Sequence, residues 1–461
     1  MGARARMPRW LRMPVATVLV GLGAGAGGIM LTLLLHAVQH VAFGYTENTF
    51  LVGVERASNE RRVLALLLGG SIVALGWWWH RRRYDAEDVS VTRVLREPAT
   101  SLSIRAAVAD AVLQVVAVGA GASLGREGAP RQTGAALADW ITTQLGIRPP
   151  GRRTLLACGA GAGLAAVYNV PLAGALFALE VLLSSWALAD VLPALGSAVI
   201  ATIVAWPVLS NHPTYEVPSL HFSWQVLAYS PLCALMAGVA GLAFIRLMDA
   251  ARHNAPSGLP AIPAIMAGFT VLGAGAIIWP ELLGNGKGPA ELALTGSLGI
   301  GLSAVLLVLK PAATALCLRA GAIGGLLTPA LATGACMGAF GGELWGRLWP
   351  GASAGACALV GAAALLAVTQ RAPVTAVVLP LELIRGGMAL LVPVALAVLV
   401  ASWTARLLES STPAHPGRRR TTVPSWLDGR REDHQWRRDQ RAGARRLAHT
   451  AVEAARQVPD G

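Results

Sequence analysis

The sequence predicts an all-α membrane protein built from two inverted repeats of tilted, broken and re-entrant helices. Three observations carry this prediction: a very apolar composition, apolar blocks that recur along most of the chain, and two pairs of matching motifs at nearly one offset. Only 14% of the 461 residues are charged and the mean hydropathy is +0.54, whereas soluble domains carry about 25% charged residues. The composition therefore indicates a polytopic membrane protein.

The apolar blocks vary in length, and several exceed the ~20 residues that a membrane-spanning helix needs. Others are short or are interrupted by glycine and proline. Such breaks occur at membrane depth only where the backbone is buried in protein or lines a cavity. The blocks lie near residues 15–43, 63–79, 106–124, 154–183, 190–210, 225–247, 261–279, 299–345, 353–384 and 388–408.

The net charge of +13 is spread over segment ends and over both tails. This distribution fits the excess of arginine in cytoplasmic loops better than a nucleic-acid surface, so no nucleic-acid partner is expected. Arginines precede the first block and follow the last at Arg418 to Arg420. We therefore expect both termini in the cytoplasm and an even number of crossings. The predicted organisation is a basic tail (1–14), a first membrane repeat (15–220), a second membrane repeat (221–410) and a basic C-terminal tail (411–461).

The stretch from Gly125 to Pro130 places Arg126 and Glu127 deep inside hydrophobic sequence. A charge at the centre of a membrane helix costs roughly 2.5–3.5 kcal/mol on insertion scales, so such a residue is a candidate for an ion or proton pathway. Basic loops flank the surrounding segment at 81–105 and 148–153. The stretch is thus predicted at the apex of a re-entrant hairpin, with free amides at a helix start that would face an anion.

The second half of the chain repeats the first. Gly324 to Pro329 has the same glycine-to-proline interval as Gly125 to Pro130, at an offset of 324 − 125 = 199 residues. Asn169-Val170-Pro171 leads to Glu180 as Arg371-Ala372-Pro373 leads to Glu382, at an offset of 371 − 169 = 202 residues. In inverted repeats of this kind two half-helix starts converge, and the expected ligand is a small anion.

On these four segments the chain resembles the CLC family of chloride channels and chloride/proton antiporters. The resemblance implies that Glu127 gates the outer pathway and that backbone amides hold the anion. It also implies chloride as the foremost substrate, protons as possible partners, and a homodimer in the plasma membrane with one pore per subunit. The anion-binding backbone is expected at Gly125, Arg126, Gly128, Gly325, Leu326 and Leu327.

Several positions depart from the family pattern. The first family motif has no match at residues 83–88, and no tyrosine follows Tyr229, so His415 is only a weak candidate for the inner anion site. Val181 stands where antiporters usually carry an inner proton-transfer glutamate. Glu180, one residue earlier, is left as a candidate proton relay or as a helix-end residue. We expect weak or absent proton coupling, with proton-coupled exchange of chloride or fluoride as the alternative.

Other polar residues in apolar sequence have a structural interpretation as well as a functional one. Asp110 is a candidate pathway residue or a structurally paired one, and His36 with His40 favours hydrogen bonding between helices over zinc. An intramembrane enzyme is the competing class. It would need a nucleophile with its base, an aspartate pair or a metal set at membrane depth, and none is present in the pattern. Neither a metal nor a cofactor is expected.

Overall fold

The computed structural model describes residues 7–46, 49–84, 90–97 and 100–410, and in this part of the chain the regular structure is helical apart from one isolated bridge. Residues 7–410 form one compact unit. The helices are α1 (Arg9–Phe43), α2 (Phe50–Arg56), α3 (Asn59–Arg83), α4 (Val91–Arg96), α5 (Ile104–Gly119), α6 (Gly128–Gln144), α7 (Gly151–Tyr168), α8 (Pro171–Phe177), α9 (Leu188–Leu209), α10 (Trp224–His253), α11 (Ala261–Ile278), α12 (Lys287–Leu294), α13 (Ile300–Ala320), α14 (Leu327–Leu348), α15 (Ala354–Gln370), α16 (Pro373–Ile384) and α17 (Leu391–Ser410).

Seven helices in the described residues are long and apolar enough to cross a membrane. They are α1, α3, α9, α10, α11, α13 and α17 with the turn before it. Others, including α8, α15 and α16, are shorter, as expected for broken and re-entrant segments. α1 begins at Arg9, so residues 9–14, which the sequence places in the N-terminal tail, are helical.

The two Asn/Arg-x-Pro motifs have the same backbone role in both halves. Asn169 ends α7 and Arg371 ends α15, each in the left-handed conformation with φ of +57° and +53°. The proline two residues later is the first residue of α8 and of α16. A left-handed residue turns the chain out of a helix, and proline suits a first helical position because its missing N–H is not needed there. The matching motifs therefore encode one helix–turn–helix unit twice.

Thr-Gly-Ala occurs in both halves, at 133–135 and at 333–335, and marks two close helix crossings. A Cβ atom on Gly134 of α6 would collide with the carbonyl oxygen of Gly159 on α7, and a Cβ on Gly334 of α14 would collide with that of Gly361 on α15. Backbones can approach this closely only where no side chain intervenes. The glycine in each motif thus sets the distance between two helices.

Replacing Gly134 by alanine should destabilise the protein, because a backbone oxygen cannot move aside as a flexible side chain does. Overpacking costs typically about 1–3 kcal/mol, and a backbone collision should fall at the upper end of that range or above it. Thermal denaturation in detergent, followed by size-exclusion chromatography, measures the effect. Gly27→Ala is the matched control, since its Cβ would meet nothing within 4 Å. Equal stability of the two variants would contradict the crossing geometry.

The stretch from Gly284 to Pro289 is a turn followed by the start of α12. The fully buried Lys310 of α13 holds this turn. Its Nζ donates hydrogen bonds to the carbonyl oxygens of Leu282 (2.8 Å) and Gly284 (2.9 Å). The lysine therefore ties the turn to a long helix.

Candidate functional site

The two glycine-rich loops meet each other directly. The N–H of Gly125 donates to the carbonyl of Gly325 at 2.8 Å, and the N–H of Gly325 donates to the carbonyl of Gly125 at 2.8 Å. A Cβ on either glycine would collide with the carboxylate of Glu127. Glycine at both positions thus leaves room for that carboxylate, at the point where residues about 200 positions apart come together.

The side chain of Glu127 is completely buried. Its Oε1 accepts a hydrogen bond from the backbone N–H of Leu327 at 2.6 Å. Its Oε2 accepts from the hydroxyls of Thr328 (3.3 Å) and Tyr168 (3.5 Å), which lie 3.0 Å from each other. The carboxylate therefore occupies the start of α14, where unpaired amides and the helix dipole favour a negative charge.

The backbone groups predicted to bind an anion are engaged differently. In this conformation the amides of Gly125 and Gly325 are not available to an anion, because each donates to the other loop. The Leu327 amide is bound to Glu127. Gly128 and Leu326 both line a cavity that reaches this site. Movement of the Glu127 side chain would release the Leu327 amide beside them.

A cavity of about 300 Å³, here called the Arg126 cavity, reaches the site from one side. Besides Arg126 it is lined by Lys287 and by the Glu127 partners Tyr168 and Thr328. The Arg126 guanidinium lies 5.0 Å from the centre of the Tyr168 ring and donates to the carbonyl of Val167. Two cationic side chains, Arg126 and Lys287, thus outnumber the one carboxylate of this lining, Glu291, at the approach to Glu127.

His36 and His40 also line the Arg126 cavity. Their rings are stacked with centres 6.4 Å apart. No group of three or more potential metal ligands occurs in the part of the chain that the structure describes.

A larger cavity of about 610 Å³, here called the Arg131 cavity, reaches the site from the other side. Its lining includes Arg81, Arg131, Arg252 and the whole loop from Gly324 to Leu327. The Arg131 guanidinium lies 4.9 Å above the ring of Phe177 and interacts electrostatically with Glu127. Three arginines make this space attractive to anions.

Glu127 lies between the two cavities. The hydroxyl partners of its Oε2 line the Arg126 cavity, whereas Leu327, which binds its Oε1, lines the Arg131 cavity. A negative side chain therefore occupies the junction of two positively charged spaces. If the Glu127 side chain moves away, an anion from one cavity can bind the start of α14 in its place. From there the anion can enter the other cavity.

Glu180 and Glu382 each bind the start of a helix in the other repeat. The Glu180 carboxylate accepts hydrogen bonds at the start of α16, and the Glu382 carboxylate accepts hydrogen bonds at the start of α8. The donors to Glu180 are Val374 N (2.9 Å), Thr375 N (2.7 Å) and Thr375 Oγ1 (2.7 Å), and those to Glu382 are Leu172 N (2.9 Å) and Ala173 N (2.7 Å). Glu180 is not in the lining of either cavity. Its placement favours the helix-end interpretation over the proton relay.

The sequence pattern did not predict Arg131, Tyr168 and Thr328 as site residues. Arg131 lies four residues after Glu127, and this spacing, one helical turn on α6, is the signal that could have found it. Residues 85–88, where the first family motif would fall, and His415 lie outside the described residues.

Comparison with known proteins identifies the fold and the family. Residues 69–406 match the family model of the voltage gated chloride channel. A protein of Ralstonia nicotianae named as ClcB-like is 34% identical over 291 residues, which cover 61% of this chain and 68% of that one. An H(+)/Cl(-) exchange transporter ClcA of Vibrio parahaemolyticus is 31% identical over 309 residues, covering 63% of this chain and 65% of that one. The chain thus spans about two thirds of the length of these relatives.

Among solved structures, that of a slow cyanobacterial Cl-/H+ antiporter superimposes with a TM-score of 0.75 at 22% identity. The superposition covers 87% of this chain and 95% of the antiporter chain. The fold and the two half-helix starts thus define a membrane protein of the CLC architecture, which confirms the predicted fold class. The chain belongs to the voltage-gated chloride channel family.

Proposed function

We propose that this protein moves small monovalent anions, chloride foremost, across a lipid bilayer. The path runs between the Arg131 and Arg126 cavities through the position that the Glu127 carboxylate occupies. The observation that carries the proposal is the hydrogen bond from the Leu327 amide to Glu127 Oε1. A site that holds a carboxylate at a helix start offers the same favourable interactions to an inorganic anion.

Glu127 acts as the gate in this proposal. While it is ionised, its charge holds it against the amide and closes the junction of the cavities. Protonation removes the charge that the helix start favours, so the side chain leaves and the anion takes its place. The resemblance to the family supports a homodimer in the plasma membrane with a separate path in each subunit. The arginine distribution supports cytoplasmic termini.

Efflux of chloride from loaded liposomes tests the proposal. Reconstituted protein with a valinomycin shunt should release chloride, whereas protein-free liposomes should not. Absence of efflux, with monodisperse protein recovered from the same liposomes, would overturn the proposed function. Fluoride-loaded liposomes run in parallel decide between chloride and fluoride selectivity.

A further inference from the structure

Protons that reach Glu127 through the Arg131 cavity need a protonatable side chain on that side. Val181 occupies the position of the usual inner glutamate, and the Glu180 carboxylate is bound to the start of α16. In the described part of the chain Asp110 is the one acidic residue in the lining of the Arg131 cavity. We infer that Asp110 is the inner proton acceptor and that Gln114 leads the proton from it to Glu127. This inference rests on the proposed function.

Asp110 is buried, with 3% of its surface exposed, and its hydrogen bonds come from neutral groups. Its Oδ1 accepts from the indole N–H of Trp77 at 2.9 Å, and its Oδ2 accepts from the amide of Gln114 at 2.8 Å. Each carboxylate oxygen offers about two acceptor sites, so both keep one for water or for a proton. Arg81 acts on Asp110 electrostatically, but its guanidinium donates to the carbonyl of Gly321. The carboxylate is thus accessible to a proton instead of being locked in an ion pair.

Three residues of α5 form a ladder along one helix face. Ala106, Asp110 and Gln114 are four residues apart, so successive levels lie about 6 Å from each other. At the first level the ring of His80 lies 3.0 Å from the Ala106 carbonyl oxygen. His80, Asp110 and Gln114 all line the Arg131 cavity. The ladder therefore runs along the lining of the cavity.

The last level of the ladder touches the helix that begins beside Glu127. A Cβ on Gly128, the residue after Glu127, would collide with Oε1 of Gln114. This Oε1 is buried and has no hydrogen-bond partner, while the Gln114 amide nitrogen donates to Asp110 and to Gln132 Oε1 at 3.1 Å. A buried acceptor without a partner requires a donor, and water is the donor that the cavity admits. A water bound there completes the route.

The proton transfer from Asp110 to Glu127 needs no reactant other than water. A proton leaves the Asp110 carboxyl, passes through the water at Gln114 and forms an O–H bond on Glu127, so the pair keeps one negative charge. Asp110 then takes a new proton from water in the cavity. The other titratable or charged side chains that face this space are His80, Arg81, Tyr84, Arg131 and Arg252. The three arginines stabilise the anionic carboxylate that remains.

Proton uptake by lightly buffered liposomes tests the inference. A chloride gradient drives transport while potassium and valinomycin fix the voltage, and both proton and chloride movements are recorded. In contrast to the weak or absent coupling expected from Val181 alone, a protein with this route should move protons against their gradient. Asp110→Asn should lower the ratio of protons to chloride at least ~tenfold, in line with the loss of a positioned proton donor, and Asp110→Glu should restore it in part. Glu343→Gln, an acid of α14 that lines neither cavity, should keep the wild-type ratio.

The outcomes separate the two proposals. An unchanged ratio in Asp110→Asn, or a wild-type protein that carries chloride without protons, overturns the inference and leaves the proposed function standing. A wild-type protein that carries no anion overturns the proposed function. If Asp110→Asn is not monodisperse, Gln114→Met decides: a ratio at least ~tenfold lower supports the route and an unchanged ratio overturns it.

Discussion

Replacing Glu127 by glutamine or alanine should abolish the pH dependence of anion transport while leaving transport itself. In the wild-type protein, acid should speed chloride movement, because protonation removes the charge that holds the side chain against the Leu327 amide. Glutamine has a similar shape without the charge, and alanine leaves the position empty. In both variants the ratio of rates at acid and neutral pH should fall to about 1, since the carboxylate that competes with the anion is gone.

Chloride efflux from liposomes at a series of pH values measures this effect. Glu343→Gln serves as the control, because it makes the same neutralisation on α14 at a residue in the lining of neither cavity. Wild-type pH dependence in both Glu127 variants would show that the carboxylate has a structural role. Loss of pH dependence in the control as well would assign the effect to general electrostatics.

Glu180→Ala and Glu382→Ala should each destabilise the fold strongly. Glu180 accepts three hydrogen bonds at the start of α16, and Glu382 accepts two at the start of α8. A hydrogen bond to a charged group contributes about 1.5–3 kcal/mol, so losing several should cost on the order of 3 kcal/mol or more. Glu180→Gln keeps an acceptor oxygen and should cost less than alanine.

The temperature at which half of the protein remains monodisperse in detergent reports this loss. Glu409→Ala is the matched control, because the Glu409 side chain is 41% exposed and pairs with Arg371 at 2.7 Å. An exposed ion pair contributes only about 0–1 kcal/mol. If Glu180→Ala is as stable as this control but moves fewer protons per chloride, Glu180 is the relay and its helix-end role is secondary.

The sequence was enough to predict the duplication, the buried Glu127 and the meeting of Gly125 with Gly325, because glycine spacing and charge in apolar sequence are local signals. It did not predict that the backbone N–H of each of these two glycines donates to the carbonyl of the other, since this pairing depends on the register of two loops far apart in the chain. Nor did the sequence predict that the Glu180 carboxylate binds the start of α16. A carboxylate at the end of an apolar run has the same local pattern whether it caps a distant helix or faces water.

The boundary between tail and membrane repeat was also set by composition alone. Arg9 and Arg12 belong to the stretch predicted as a basic N-terminal tail (1–14), and both lie in the first turns of α1. Arginine has good helix propensity and its long side chain can reach the membrane surface from inside a helix, so charge did not mark the helix boundary.

The carboxylates of Glu180 and Glu382, which each bind a helix of the other half, constrain the order of folding during synthesis. The first amides of α8 have no carboxylate partner until Glu382 is synthesised, 209 residues after Ala173. At 5–20 residues per second this interval is roughly 10–40 s. Until then the first half has an unsatisfied helix start, and Glu180 has an unsatisfied carboxylate. Both caps join residues of opposite halves, so neither cap can form until the second half has been synthesised.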